Sequence, residues 1–331
     1  MDESRYSRRS FIGKMAAVSG GLLVGSSSRA QEKWPQRPIR VIVPVAAGGI
    51  IDLLTRSVGK AFTERTGGTL VVESKPGADH MIGTQFVANS PPDGYTWLSA
   101  SVPFTVTPFL RKNPGYDPIK DFQPLQLLGT SPNILVVTAS VPAKTVKEFV
   151  ALAKREKGKL SYANPGVGSS NHLGMEMFKV KAGVDILGVP YKGQPPAISD
   201  LLAGRVQAMM MSSSLAPGYI ASGKLRALAV VAPERLRTLP DVPTIGEAGY
   251  PAVDVVPWFG LLAPRKTPAD IVAKASSALH AIQGMPGLIA DYEKIGVTPF
   301  PPNSPAVFEK YIRSDLAKWP DLIKRAGIEK T

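Results

Sequence analysis

Cysteine is absent from all 331 residues. That excludes disulfides, thiolate nucleophiles and cysteine-held metals together. Histidine is scarce: His80, His172 and His280 are the three, and no two stand at ligand spacing. The GxGxxG and P-loop spacings are missing, so phosphate cradles of those two kinds have no sequence support. No GxSxG elbow is present either. An exported hydrolase would have to use Ser169 or Ser170 with His172, a spacing that suits helix capping better than a nucleophile and its base. Aromatics are sparse at 7%, yet 44% hydrophobic residues suffice for the core of a globular α/β protein. A chain of this length exceeds the usual single domain, so two lobes are expected.

The first thirty residues are not expected to join the fold. Ser7-Arg8-Arg9-Ser10-Phe11-Ile12-Gly13-Lys14 is similar to a twin-arginine export signal, followed by an apolar run from Met15 to Gly25 and a small-residue exit at Ser28-Arg29-Ala30. That run is too short for a transmembrane helix. The expected mature chain begins near Gln31 and works in the periplasm. It keeps 34 Lys and Arg against 24 Asp and Glu, within a whole-chain net charge of +13. The cations are spread along helices without aromatic interleaving, so no nucleic acid partner is expected, and attraction of anionic small molecules is the functional reading beside a plainly solvated surface.

The chain is organised around Val41-Ile42-Val43-Pro44-Val45-Ala46-Ala47-Gly48-Gly49-Ile50-Ile51-Asp52. Ile39 to Val45 reads as a strand covered on both faces, and Leu53, Leu54, Val58, Ala61 and Phe62 return at helical spacing. Between them Gly48 and Gly49 let a ligand approach the backbone where the first helical turn presents unpaired N–H groups. A plain strand-to-helix turn is the competing reading. The device repeats 120 residues on: Leu160 to Asn164 as strand, Pro165-Gly166-Val167-Gly168-Ser169-Ser170 as turn, Asn171 to Lys181 as helix.

Strands are also expected at Thr69 to Glu73, Tyr95 to Ser99, Ile186 to Tyr191, Val206 to Met211 and Leu225 to Val231, in sheets wound with helices in parallel fashion. Helices are expected from Met81 to an end at Asn89-Ser90, and at Thr145 to Lys157, Pro195 to Leu202, Leu215 to Ser222, Pro268 to Gln283, Gly287 to Ile295 and Pro305 to Lys324. Thr145 with Glu148 has capping-box spacing. Met209-Met210-Met211 reads as core. The apolar segment Leu125 to Thr138, broken at Ser131-Pro132, and Asp254 to Ala263 read as two crossings between lobes. Residues 31–131 with 254–331 would then form lobe 1 and 132–253 lobe 2, an arrangement that permits hinge closure.

Nine stretches carry a family resemblance, in order along nearly the whole mature chain. They are VPVAAGGIIDLLTR (43–56), VVESKPGA (71–78), PPDGYTWL (91–98), YDPIKDFQPL (116–125), SYANPGVGSSNHLGMEMF (161–178), VPYKGQPPAISDLLAGRV (189–206), LRALAV (225–230), LPDVPTIGEAGYP (239–251) and WFGLLAP (258–264). On these the chain resembles the periplasmic substrate-binding proteins of tripartite tricarboxylate transporters, the Bug receptors. The resemblance implies a type II periplasmic binding fold, two doubly wound α/β lobes joined by two crossing segments with a ligand cleft between them. It implies a monomer, not an enzyme and needing no cofactor or metal, that delivers a small carboxylate to a permease of one large and one small membrane subunit. A receptor signalling to a membrane sensor kinase would share the same ligand step.

Carried onto this chain, the ligand-binding positions are Ala47, Gly48, Gly49 and Asp52 in lobe 1 and Gly168, Ser169, Ser170 and His172 in lobe 2, with Tyr191 and Lys192 at the same mouth. Each has a plainer alternative. Asp52 and the two serines serve as helix caps, His172 packs beneath its turn, and Lys192 is an exposed turn lysine. The chain departs from the family where Val45, Ile50 and Ile51 replace an aromatic and small or hydroxylated residues, and where Asp79 and His80 replace a glycine pair. These five, with Trp258 as packing or stacking residue, are the specificity candidates. They point to a carboxylate with an apolar or aromatic body.

Overall fold

The computed structural model describes residues 34–191 and 193–330. The expected export signal and Lys192 lie outside the described residues. The elements follow in order: β1 (Ile39–Val43), α1 (Ile50–Thr66), β2 (Leu70–Ser74), α2 (Met81–Ala88), β3 (Thr96–Ser101), α3 (Pro103–Leu110), β4 (Phe122–Thr130) and β5 (Asn133–Thr138). Next come α4 (Val146–Arg155), β6 (Ser161–Asn164), α5 (Ser170–Ala182), β7 (Leu187–Pro190), α6 (Gln194–Leu202), β8 (Ala208–Ser212), α7 (Ala216–Ala221) and β9 (Leu225–Val231). The chain returns through β10 (Trp258–Pro264), α8 (Ala269–Ile282), α9 (Pro286–Lys294), β11 (Thr298–Pro299) and α10 (Pro305–Arg325).

Two sheets result, a six-stranded one in the order β11-β4-β10-β3-β1-β2 and a five-stranded one in the order β7-β6-β8-β5-β9. Strands before Ser131 and after Asp254 fall in the first sheet, and those between fall in the second. Ser131-Pro132 separates β4 from β5, so one apolar segment feeds both sheets. The expected parallel winding is found around β1 and β6 and is broken where the crossing strands enter. β1 pairs in parallel with β2 and β3, and β6 with β7 and β8, but β10 runs antiparallel to β3 and β4, and β5 to β8 and β9. The antiparallel strands β5 and β10 come from the crossings, which enter a new sheet without a covering helix, and the short β11 adds a further antiparallel pairing with β4.

Side-chain alternation shows why these strands are apolar throughout. Val41 and Val43 pack on one face with Leu54, Val58 and Phe62 of α1, while Ile42 joins Val87 and Leu98 on the other. In the second sheet Ile134 and Val136 face Ile198 and Leu201 of α6, whereas Leu135 and Val137 face Phe149 and Phe178. The methionine run obeys the same period: Met209 and Met211 join one cluster, Met210 the other, and all three are fully buried. One cluster is shared by the sheets, because α10 brings Ile312, Trp319, Leu322 and Ile323 to a core that includes residues of β3, β5 and α5. Thr145 caps α4 as its spacing predicts, accepting from Glu148 N–H at 3.1 Å, while Glu148 Oε2 accepts from Lys144 N–H at 2.6 Å. Two elements escape sequence reading. α3 contains Pro108 and β-branched residues that hide its period, and β11 is two residues long.

Candidate functional site

Each sheet has one place where the chain leaves a strand, pairs its next strand on one side and the following strand on the other. In the first sheet that strand is β1, between β2 and β3; in the second it is β6, between β7 and β8. Helices from such a pair of crossovers diverge and leave a crevice beyond the carboxyl end of the strand, where α/β sheets bind ligands. Both glycine turns sit there.

The two turns share one construction. Gly48 and Gly168 have φ of 86° and 78°, the left-handed region where a Cβ is strained. The next residue, Gly49 or Ser169, is the helix N-cap, and the side chain three residues later turns back to the glycine. Gly48 N–H donates to Asp52 Oδ2 at 2.9 Å, and Gly168 N–H donates to His172 Nδ1 at 3.2 Å. In the first helical turn the N–H groups of Ile50 and Ile51, and of Ser170 and Asn171, have no backbone acceptor among the described residues. Each mouth thus presents donors and a helix dipole that suit an anion.

The side chains differ. Asp52 is 2% exposed and serves its own turn, with Arg56 Nε donating to Oδ2 at 3.0 Å and Arg56 Nη2 lying 3.0 Å from Oδ1. Burial pulls its pKa up, but the Arg56 hydrogen bond, the Gly48 N–H and the Arg56 charge together hold it below the ordinary value. His172 is buried, and burial is the first cause of a lowered pKa; Lys179 adds to it and Glu176 opposes it. Accepting a backbone N–H at Nδ1 requires the proton of the neutral ring to sit on Nε2. Ser169 Oγ accepts from His172 N–H at 3.2 Å, so the serine is a cap, and Ser170 is half-buried beside it.

The structure brings part of the candidate set together. Ala47, Gly48 and Gly49 are exposed, and Val45 and Ile50 are half-buried around the first mouth. Ile51 points instead into the core with Leu54, because the second helical residue faces the sheet. Trp258 is also withdrawn: it is fully buried against Phe104 and Phe308, with Nε1 donating to Asp315 Oδ2 at 3.0 Å, so its role is packing. Tyr191 reaches the second lobe's turn by its backbone, N–H donating to Asn164 O at 2.7 Å, while its hydroxyl donates to Asp200 Oδ2 at 2.9 Å.

Ala78, Asp79 and His80 follow Gly77 with φ of 45°, 51° and 73°. Three successive non-glycine residues in that region are strained, and the strain is held in place at both ends. Thr84 N–H and Oγ1 donate to His80 O, and the Arg111 guanidinium pairs with the Asp79 carboxylate. Burial drives the His80 pKa down to about 4 against the opposing charge of Asp79.

Sequence reasoning missed the end of α3. A Cβ placed on Gly168 would lie 2.7 Å from Leu110 Cδ1, so Leu110 of the first sheet's helix touches the second mouth. Its neighbour Arg111 holds the strained loop of the first lobe. The signal was hidden because α3 itself was not legible. Also missed were Asn133 and Asn171: Asn171 Nδ2 donates to Asn133 Oδ1 at 3.0 Å and to Met210 O at 2.8 Å. Asn133 Nδ2 and Ser131 Oγ, buried at the crossing, have no protein partner. Such buried groups suit a carboxylate oxygen or an ordered water. Gln194 at the start of α6 is fixed by Ser212, through Nε2 to Oγ at 2.7 Å and from N–H to Oε1 at 3.2 Å. Among the described residues no three His, Asp or Glu converge on a point that would hold a metal.

Two α/β lobes, each offering a helix mouth at a switch point, define a solute-binding protein. The sequence profile described as tripartite tricarboxylate transporter family receptor matches residues 54–328, and the chain belongs to that family. It is similar to BugT of Bordetella pertussis, 31% identical over 298 residues that make up 89% of this chain and 91% of that one. Among solved structures it resembles Rpa4515 of R. palustris with adipate, at 33% identity and a TM-score of 0.77, covering 90% of this chain and 99% of that one. It also resembles MatC of Rhodopseudomonas palustris with bound malate, at 30% identity and a TM-score of 0.74, covering 87% and 99%.

Proposed function

We propose that the protein captures a small carboxylate between its two glycine mouths and delivers it to a tripartite tricarboxylate transporter permease of one large and one small membrane subunit. The observation that carries this reading is the matched construction of the mouths, each with a left-handed glycine tied back to the third helical residue and first-turn N–H groups without backbone acceptors. The adipate and malate of two related structures support a dicarboxylate, with one acid group for each mouth. The lobes would be 31–131 with 254–331 and 132–253, closing about the two crossings. The twin-arginine leader would place the receptor in the periplasm.

The direct ligand contacts in this reading are backbone N–H groups around Gly48, Gly49, Ser169 and Ser170, with Ala47 shaping the approach and Lys192 adding charge. Asp52 and His172 set the turns. Val45, Ile50 and Leu110 make the space between the mouths apolar, which favours an acid with an apolar or aromatic body, and Asp79 and His80 add a polar edge. A thermal-shift screen against aliphatic dicarboxylates, tricarboxylates, acidic amino acids and aromatic acids tests both levels. A ligand at a hundred times its dissociation constant adds roughly 2.7 kcal/mol and raises the melting point by a few degrees. Tighter binding of citrate than of any acid with an apolar body would overturn the ligand class; no response to any acid would overturn carboxylate capture.

A further inference from the structure

The positive charge of the protein is not spread evenly. Residues 132–253 carry fourteen Lys and Arg against eight Asp and Glu, a net +6, whereas 31–131 and 254–331 each carry +2. Most of that excess lies in one place. Residues 144–159, which are α4 with its entry and exit, hold six cations against two glutamates. The buried side of α4 is Val146, Phe149, Val150, Leu152 and Ala153. Its outer side is Lys147, Ala151 and Lys154, one stripe at i, i+4 and i+7, and Lys144 before the helix and Lys157 and Lys159 after it are exposed as well.

Local structure accounts for only part of this. Lys154 and Arg155 sit in the last turn, where cations complement the helix dipole, and Arg155 pairs with Glu156 at 3.2 Å. Lys144 and Lys147 flank the first turn, where a cation opposes the dipole. None of the five lysines forms an ion pair among the described residues, and Glu148 is engaged by the backbone N–H groups of Lys144 and, through Thr145, by the cap itself. Lys224 is exposed nearby, its backbone O accepting from Ala139 N–H at 3.3 Å, and Arg226 fastens the entry loop to the sheet by donating to Val141 O and Ala143 O. The face is therefore predominantly cationic above the buried side of α4, with exposed Glu148, half-buried Glu156 and exposed Asp185, whose Oδ2 lies 3.9 Å from the Cβ position of Gly158, as its acidic members.

We propose that this face of α4 docks on an anionic lipid surface and holds the receptor beside the membrane. The residue types decide between lipid and protein. Protein interfaces favour Arg and aromatics and are poor in Lys, whereas this face is lysine with a single arginine already paired, and it presents no large apolar side chain. Lysine is a hydrated point charge on a flexible stem, suited to phosphate headgroups without a fixed geometry. Each such residue adds to attraction by an anionic membrane, and the attraction fades as salt shortens its range.

The test uses the full chain in co-sedimentation with vesicles of phosphatidylcholine, with and without phosphatidylglycerol. Wild type is expected to sediment only with the anionic vesicles, and to be released by salt. Changing Lys144, Lys147, Lys154, Lys157 and Lys159 together to Gln should weaken binding by about tenfold or more. Removing the same charge at Lys60, Lys120, Lys266, Lys274 and Lys310, on segments that pack about the first sheet, should leave binding within about twofold of wild type. Lys154→Glu alone should reproduce the loss at smaller size, with circular dichroism unchanged. Equal losses in the two five-site variants, or full binding by the α4 variant, would overturn the proposal. Failure of wild type to sediment would overturn it too and leave an acidic protein surface as the occupant.

Discussion

The first mouth is closed by an ion and the second by a neutral ring. Asp52 and His172 stand at corresponding helical positions, accept from the N–H of Gly48 and of Gly168 respectively and are both buried, yet one is charged and held by Arg56 and the other is kept uncharged by burial. The caps differ in the same sense: Gly49 has no side chain to offer, while Ser169 caps with its hydroxyl. The geometry that exposes the helix N-terminus is common to both lobes, and the chemistry that holds the turn is free to vary. A backbone-built anion site asks only that the glycine be pinned.

The most severe way to break the comparison is at the glycines. Gly168→Ala should weaken ligand binding most, since its Cβ would stand 2.7 Å from Leu110 Cδ1, which must turn aside, in addition to the left-handed strain. Gly48→Ala meets nothing within 4 Å and carries only the strain, about 1–2 kcal/mol, so it should fold and bind more weakly. Isothermal titration with the screened ligand separates the two, and equal effects would mean that Leu110 does not bear on the second mouth.

Asp52→Ala should be next, removing the acceptor of Gly48 N–H and the partner of a half-exposed Arg56. We expect a loss of about 1–2 kcal/mol in urea unfolding, larger than that of Arg56→Ala.

Acid should separate the mouths. The folded pKa of His172 lies below its unfolded value near 6.5, so the folded state binds fewer protons and its stability is present above that pH and lost as pH falls toward the folded pKa. Asp52 is also depressed, and its contribution persists down to about pH 4, below which it is lost. Melting points between about pH 7 and pH 4.5 should therefore fall less in His172→Gln than in wild type. His80, with a pKa of about 4, responds in the same direction, so His80→Gln is the needed companion. Unchanged pH slopes in both variants would remove histidine from the account.

The smallest effects are at the caps. Ser169→Ala should cost about 1 kcal/mol, whereas Gly49→Ser, with 3.7 Å of clearance to Ala46 O, should add a few tenths and make the first mouth resemble the second. Thermal melts detect both.

Most of this comparison is legible in one dimension. A continuous apolar strand, two small residues and a periodic helix specify a strand-to-helix turn, and its repetition 120 residues on specifies two of them. Continuous apolar runs located the central strands because burial on both faces leaves no other composition, while β2 and β7 are partly exposed. What sequence could not supply was which way a given side chain turned. Ile51 read as a cleft residue and packs in a core, and Trp258, open between packing and stacking, packs, since a residue's face depends on the exact start of its helix or strand. Asp79 and His80 read as polar replacements for glycines, but nothing in their types announces that both hold a left-handed backbone.

The sequence by itself determined the family, the strand order's raw elements and the two glycine turns, because period, turn residues and capping act over a few neighbours. Only the tertiary structure decided that both turns lie at switch points, that α3 carries Leu110 to Gly168 and Arg111 to Asp79, and that Lys147 and Lys154 share the outer face of α4. Those are contacts between segments far apart in the chain, and they are fixed by the packing of sheets and helices rather than by any local preference.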